Sequence, residues 1–262
     1  MADLIIQSTE NPTFKFVRRL YTNKSFRKEL SQSLLDGPHL IKTYIDSGGK
    51  ILELIKDDSI ESDEINLIMN NHPNVKIHIM QHSLFKKISE LTSVTGLIAL
   101  FNIPSSIPIK PNGLSLLLDR IQDPGNVGGI IRTAAAVGVN SVFLSEGCSD
   151  LWSPKTLRGS QGAHFFLSCY EQQNLENLIG LFEFPVYALS VNGESLYKVK
   201  LPKNVAIILG SEGQGLSRKL IDKCIKKINL PMTQGVESLN VGSAASIIMY
   251  EYYRQFQFFV RV

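Results

Sequence analysis

Three stretches place polar side chains after apolar runs, where a chain could do chemistry: "DPGNVGGIIRTA" with Asn126 and Arg132, "ILGSEGQGLS" with Glu212, and "LPMTQGVESLNVGSAASI", a polar loop leading into a helix. In the first stretch Asn126 can cap a helix, and Gly128 and Gly129 let another backbone approach closely. A helix start followed by Arg132 suits a phosphate or another polyanion, with a structural salt bridge as the alternative. The spacing is not G-x-G-x-x-G and there is no G-K-[ST], so neither a dinucleotide fingerprint nor a Walker loop is present.

In the second stretch an apolar strand ends in Gly-Ser-Glu-Gly-Gln-Gly. Three glycines around Glu212 suit a backbone loop wrapped round a flat ligand, and an ordinary flexible turn is the competing reading. Ser217 then caps a helix, "RKLIDKCIKKI", with Leu220, Ile221, Cys224 and Ile225 facing inward. Lys219, Lys223, Lys226 and Lys227 would form a basic stripe on its other side, either a solvated face or a phosphate contact. In the third stretch Pro231 ends a strand, and Ser238 or Asn240 starts a long helix with Val241, Ala245, Ile248, Tyr252 and Phe256 on one face. Its aromatic end, "YEYYRQFQFF", suggests a subunit contact, against core burial within the monomer. Gly242, early in that helix, is expected to loosen its start.

The elements that must hold these side chains follow from the pattern around them. "LSLLLD", "SVFLS", "HFFLSCY", "FPVYALSV", "VAIILG" and "KKINLPM" read as strands separated by helix-like or turn segments. Continuous apolar strands of this kind argue a parallel sheet covered on both faces, with ligands at the carboxyl ends of strands. Pro104, Pro108, Pro111 and Gly113 mark a linker over 104–113. Residues 1–103 then form a small α/β domain and residues 114–262 a second one. In the first, Asn11 caps a helix with Pro12 at its first position and Phe14, Val17 and Leu20 facing inward. A helix near 36–47 stops at Gly48-Gly49. "KILELI", a helix near 62–70, "VKIHIM", a helix near 81–91 and "TGLIALF" complete the domain.

With 44% hydrophobic and 19% charged residues, the chain can bury a substantial core, and a net charge of +3 excludes no class of partner. Three separated cysteines without a C-x-x-C pair read as reduced thiols. With no basic n-region at the start and no run of about 18 apolar residues, the expectation is a soluble cytoplasmic protein. His78 and His82 lie in a strand leaving for a helix, outside the three stretches, and no metal site is expected.

Taken in order, the three stretches resemble the signature motifs of the SpoU (TrmH) family of RNA 2′-O-ribose methyltransferases, part of the SPOUT superfamily. The part before the linker resembles that family's N-terminal substrate-binding domain, on "NPTFKFVRRL" and "LLDGPHLIKTYI". The resemblance implies a small N-terminal α/β RNA-binding domain and a C-terminal parallel-sheet methyltransferase domain threaded as a deep trefoil knot. It implies S-adenosylmethionine held by Leu209, Gly210, Leu230 and Leu239, with Glu212, Gly213, Met232 and Ser238 lining the same pocket. It implies a homodimer in which Arg132 enters the partner's site, with Asn126, Glu212, Ser238 and Asn240 as the other polar site residues.

An ordinary guanidinium stays protonated, with a pKa above about 12, so Arg132 is expected to position phosphate and nucleophile. RNA is the implied partner, ribosomal RNA ahead of tRNA. Lys15, Arg18, Arg19 and Arg27, among the cations of residues 15–28, are candidate RNA contacts, with surface solubility as the alternative. A nicotinamide-dependent oxidoreductase would need the absent glycine fingerprint. A non-catalytic RNA-binding protein with the same fold would have no reason to keep the five polar site residues together.

Overall fold

The computed structural model describes residues 5–89, 94–105 and 110–256. They divide into two compact units, one within Met1–Ser105 and Trp152–Gly162, the other within Ser106–Leu151 and Ala163–Val262. Part of the proline-rich linker and the end of the aromatic tail fall outside the described residues.

The first unit begins with α1 (Pro12–Thr22), α2 (Lys24–Leu30), β1 (Gln32–Asp36), α3 (Pro38–Asp46) and β2 (Ile51–Asp57). It continues through α4 (Asp63–Asn71), β3 (Lys76–Met80), α5 (His82–Ile88) and β4 (Leu97–Asn102). Asn11 caps α1 by accepting from Thr13 N at 2.8 Å, and Phe14, Val17 and Leu20 are buried beneath it. Its sheet runs β1-β4-β2-β3. β1 carries no strand expectation, because a five-residue segment ending in Leu-Leu-Asp has too little local signal. Pairing with β4, from Gln32↔Asn102 to Asp36↔Ile98, makes it a strand.

The second unit runs β5 (Leu114–Asp119), α6 (Pro124–Val137) and β6 (Ser141–Ser145). The chain then passes through α7 (Pro154–Ser160), which belongs to the first unit, and returns. β7 (Ser168–Gln173), α8 (Leu175–Ile179), β8 (Val186–Ser195), β9 (Val205–Gly210), α9 (Arg218–Lys223), β10 (Lys226–Asn229) and α10 (Val241–Phe256) follow. The sheet order is β10-β8-β9-β5-β6-β7, with every pairing parallel. β5 and β9 are almost wholly buried, as expected of central strands covered on both faces.

Two expected elements differ. "HFFLSCY" does not enter the sheet as one strand: Ala163–Phe165 is a 3-10 turn, and β7 starts only at Ser168. His164 accounts for this, buried with Nε2 2.9 Å from the Leu151 carbonyl. The helix after Ser217 is only Arg218–Lys223, because Lys226–Asn229 pairs with β8 instead. Ile225, expected to face inward, is 75% exposed. Lys226 and Lys227 are strand residues, so no continuous helical stripe forms.

Candidate active site

The three motif stretches meet in the second unit. β5 ends at Asp119, and Asp123, rather than Asn126, caps α6 by accepting from Asn126 N at 2.7 Å. Relieved of capping, the Asn126 side chain turns to Glu212, with Nδ2 2.8 Å from Glu212 Oε1. The same oxygen accepts from Asn240 Nδ2 at 2.8 Å and from Val241 N at 3.3 Å. Asn240 does cap α10: its Oδ1 accepts from Ser243 N at 3.1 Å. One carboxylate oxygen thus gathers donors from the starts of both α6 and α10.

The glycines after β9 meet a geometric need. A Cβ on Gly210 would fall 2.3 Å from the backbone of Gly215, and Gly215 has φ 62°. Only glycine lets the loop fold back so closely, closed by a bridge between Ser211 and Gly215. Beside this loop lies a cavity of about 320 Å³. Gly210, Glu212, Leu230, Met232, Ser238 and Leu239 line it, as expected of cofactor residues. Leu209 does not, being wholly buried inside β9. Gly213 instead faces a second depression, shared with Arg120, Gln122 and Asp123.

The cavity wall also includes Leu189, Ser190 and Val191 from β8, and Gln214, Gly215, Leu216, Ile221, Val241 and Ala244. Gln214, Gly215 and Val241 fall in the loops 209–215 and 228–241 that the family resemblance assigns to the cofactor, whereas Leu189, Ser190, Val191, Leu216, Ile221 and Ala244 were not expected. For the β8 residues the signal was the end of "FPVYALSV", since every strand end on the carboxyl side of a parallel sheet is a candidate. The lining is mostly apolar, with three serine hydroxyls and backbone groups spaced along it.

Arg132 lies on the exposed side of α6 and makes no hydrogen bond or ion pair among the described residues. Around it the helix is bare: a Cβ on Gly129 would meet nothing within 4 Å.

In the first unit, Lys15, Arg18 and Arg19 are exposed. Lys15 pairs with Glu10 at 2.5 Å, and the Arg19 guanidinium lies 3.9 Å over the Phe26 ring. Arg27 corrects the expectation of an RNA contact, because it is 4% exposed. Its guanidinium donates to the carbonyls of Leu20 and Tyr21 at the end of α1. His78 and His82 pair with Glu53 and Asp57 at 2.7 and 2.8 Å. Among the described residues, no group of three or more His, Cys, Asp or Glu is placed to hold a metal ion. No helix there is long and apolar enough to cross a membrane.

The SpoU rRNA Methylase family model matches residues 113–250, more than half of the chain and all of the site just described. The chain belongs to the SpoU family. An uncharacterized tRNA/rRNA methyltransferase of Synechocystis is 31% identical over 95% of this chain and 93% of its own length. The 23S rRNA (guanosine-2′-O)-methyltransferase RlmP of Bacillus subtilis is 29% identical over 94% of this chain and 97% of its own. Among solved structures, the SpoU methyltransferase AviRb of Streptomyces viridochromogenes, in complex with AdoMet, superposes with a TM-score of 0.85. That match covers 94% of this chain and 98% of AviRb at 23% identity, and establishes a shared SpoU fold. All three stretches fall within the matched residues.

Proposed function

We propose that this SpoU chain transfers a methyl group from S-adenosylmethionine to a ribose 2′-hydroxyl of RNA, with ribosomal RNA as the substrate. The observation that carries the reading is the joining of Asn126, Glu212 and Asn240 beside a cavity whose wall Glu212 also forms. The rRNA activity of the Bacillus subtilis relative supports the substrate class.

The cavity suits the cofactor. Its apolar lining takes a flat adenine and a methionine chain, its hydroxyls and backbone groups take the polar ends, and its volume falls in the range of small-molecule sites. Gly210, Leu230, Leu239, Met232 and Ser238 would hold it. S-adenosylmethionine supplies an electrophilic sulfonium methyl when bound.

What remains for the protein is to bring a weak nucleophile into line with that methyl; transfer leaves the neutral thioether S-adenosylhomocysteine, and the hydroxyl proton passes to bulk water. Glu212 fixes Asn240 and Asn126 through one oxygen, so the asparagine amides stand preset to orient the ribose hydroxyl. Arg132, free of any partner among the described residues, positions the RNA phosphate and the nucleophile. Dimerisation belongs to the same proposal. The α6 face around Gly129 and Arg132 is open, and Tyr250 on α10 is 55% exposed, so a second copy seated there would receive Arg132 in its own site. The deep trefoil knot of the C-terminal domain and the RNA-binding role of the first unit, through Lys15, Arg18 and Arg19, complete the reading.

The test is methyl transfer from labelled S-adenosylmethionine to ribosomal RNA lacking its native modifications, followed by mapping of ribose methylation. Label on one ribose of ribosomal RNA is expected. RNA binding without transfer, in protein that takes up the cofactor, would make the chain a binder that has kept the fold. Label on tRNA alone would move the substrate class.

A further inference from the structure

Arg120 stands just past β5, outside every residue with a role above, and its backbone is unusual. Its φ is 54°, the left-handed region where a side chain other than glycine is strained and where such strain tends to gather at functional sites. The surroundings impose the conformation. The Arg120 N–H donates to Ser145 Oγ at 2.9 Å, and that hydroxyl lies 3.1 Å from Asp119 Oδ1. A glycine would take this φ without strain, so the arginine is held there for its side chain.

The guanidinium spreads over three acceptors. Nε donates to Asp119 Oδ2 at 3.2 Å, Nη1 to Gln214 Oε1 at 3.2 Å, and Nη2 to the Gly215 carbonyl at 3.5 Å. Gln214 and Gly215 both line the 320 Å³ cavity. The other hydrogen bonds of Gln214 and Gly215 are short-range ones back to Ser211. The loop is therefore pinned at two points: at Glu212 by the asparagines and Val241, and at Gln214–Gly215 by Arg120. Asp119, 6% exposed, keeps the guanidinium aimed.

We infer that Arg120 is a positioning residue for cofactor binding. It holds the Gln214–Gly215 wall in the conformation that takes S-adenosylmethionine, through a fork that only arginine can make. The inference rests on the methyltransferase reading above and adds to it a residue outside the family motifs.

The experiment compares wild type with R120G, R120K and Q214A by thermal unfolding, by calorimetric titration with S-adenosylmethionine, and by steady-state methyl transfer. R120G relieves the backbone strain but leaves the buried Asp119 carboxylate without its guanidinium, two opposed effects, so its unfolding temperature is expected to stay within a few degrees of that of wild type. Its Kd for S-adenosylmethionine is expected to rise about tenfold, the scale of one lost charge-assisted hydrogen bond. KM for the cofactor should follow while kcat at saturation stays within about threefold, the pattern of lost uniform binding. R120K, with the charge but not the fork, should fall between the two. Adding R120G to Q214A should cost less than the two separate effects combined, since both remove the same tether.

Wild-type affinity in R120G would overturn the inference and leave the methyltransferase reading intact. So would affinity losses that track losses of thermal stability across R120G and R120K, because the role would then be structural. Failure of the wild-type protein to take up S-adenosylmethionine, alone or with ribosomal RNA, would instead sink the methyltransferase reading and this inference with it.

Discussion

Asn240 Nδ2 lies 2.9 Å from Asn126 Oδ1 although 114 positions of chain separate the two residues. Gly242 stands against this pair: a Cβ there would come 3.1 Å from Asn240 Oδ1 and 3.5 Å from Asn126 Oδ1. The glycine expected to loosen the start of α10 leaves room for the two asparagines instead. Local helix propensity yields there to the geometry of the site.

Gly242→Ala separates the two roles. Alanine favours a helix over glycine by about 1 kcal/mol, so the unfolding temperature should hold or rise. The Asn240 oxygen must shift by a few tenths of an ångström, and methyl transfer should fall about tenfold because catalysis by positioning tolerates little displacement. Unchanged kcat at unchanged stability would show that the reaction does not depend on the asparagine spacing.

Arg132→Ala should cut transfer by about 10²–10³-fold, the scale for one preorganised charge stabiliser. Calorimetry should give nearly wild-type S-adenosylmethionine binding, since Arg132 does not line the cavity. Transfer that survives the substitution would remove Arg132 from the reaction.

The basic residues of the first unit divide by burial. Arg27→Ala leaves the Leu20 and Tyr21 carbonyls without their donor and should destabilise the unit by about 2 kcal/mol, read as a lower unfolding temperature. A double Arg18→Ala/Arg19→Ala variant should keep its thermal stability and lose RNA affinity, with a shallower dependence of binding on salt. Equal RNA affinity in the double variant would leave those side chains as solubilising surface.

His164 makes acid stability testable. Burial pushes its pKa down to about 4, opposed by the smaller effect of the bond to the Leu151 carbonyl. An unfolded histidine titrates near 6.5, so between these values the unfolded chain binds the extra proton and stability rises with pH. The protein should therefore lose stability as pH falls from about 6.5 towards 4, by on the order of 3 kcal/mol from this group. Denaturant melts across that window, for wild type and His164→Gln, check it; equal slopes would assign acid sensitivity elsewhere.

Much of the fold is legible in local pattern. Asn11, Ser62 and Ser217 each cap a helix through a side-chain oxygen, and β5, β6 and β9 coincide with unbroken apolar runs bounded by turns. Misreadings arise where the decision is non-local. "KKIN" fits a helical spacing as well as a strand, and its pairing with β8 settles which it is. Phe165 and Phe166 look like strand residues, yet burial of the neighbouring His164 turns the chain before the sheet.

The site divides in the same way. Residue types and their order in the chain determined the resemblance to the family and the glycine-lined loop, because these depend on short stretches alone, and it is that resemblance which named Asn126, Arg132, Glu212, Ser238 and Asn240. Only the tertiary structure decided that Asp123 takes over the capping of α6 and frees Asn126 for Glu212. It also decided that Arg27 is a buried brace, that β8 lines the cavity, and that Arg120 bonds to Gln214 and Gly215 of its wall. Those outcomes depend on which strand ends meet, and that is set by long-range parallel pairing and burial that no local spacing records.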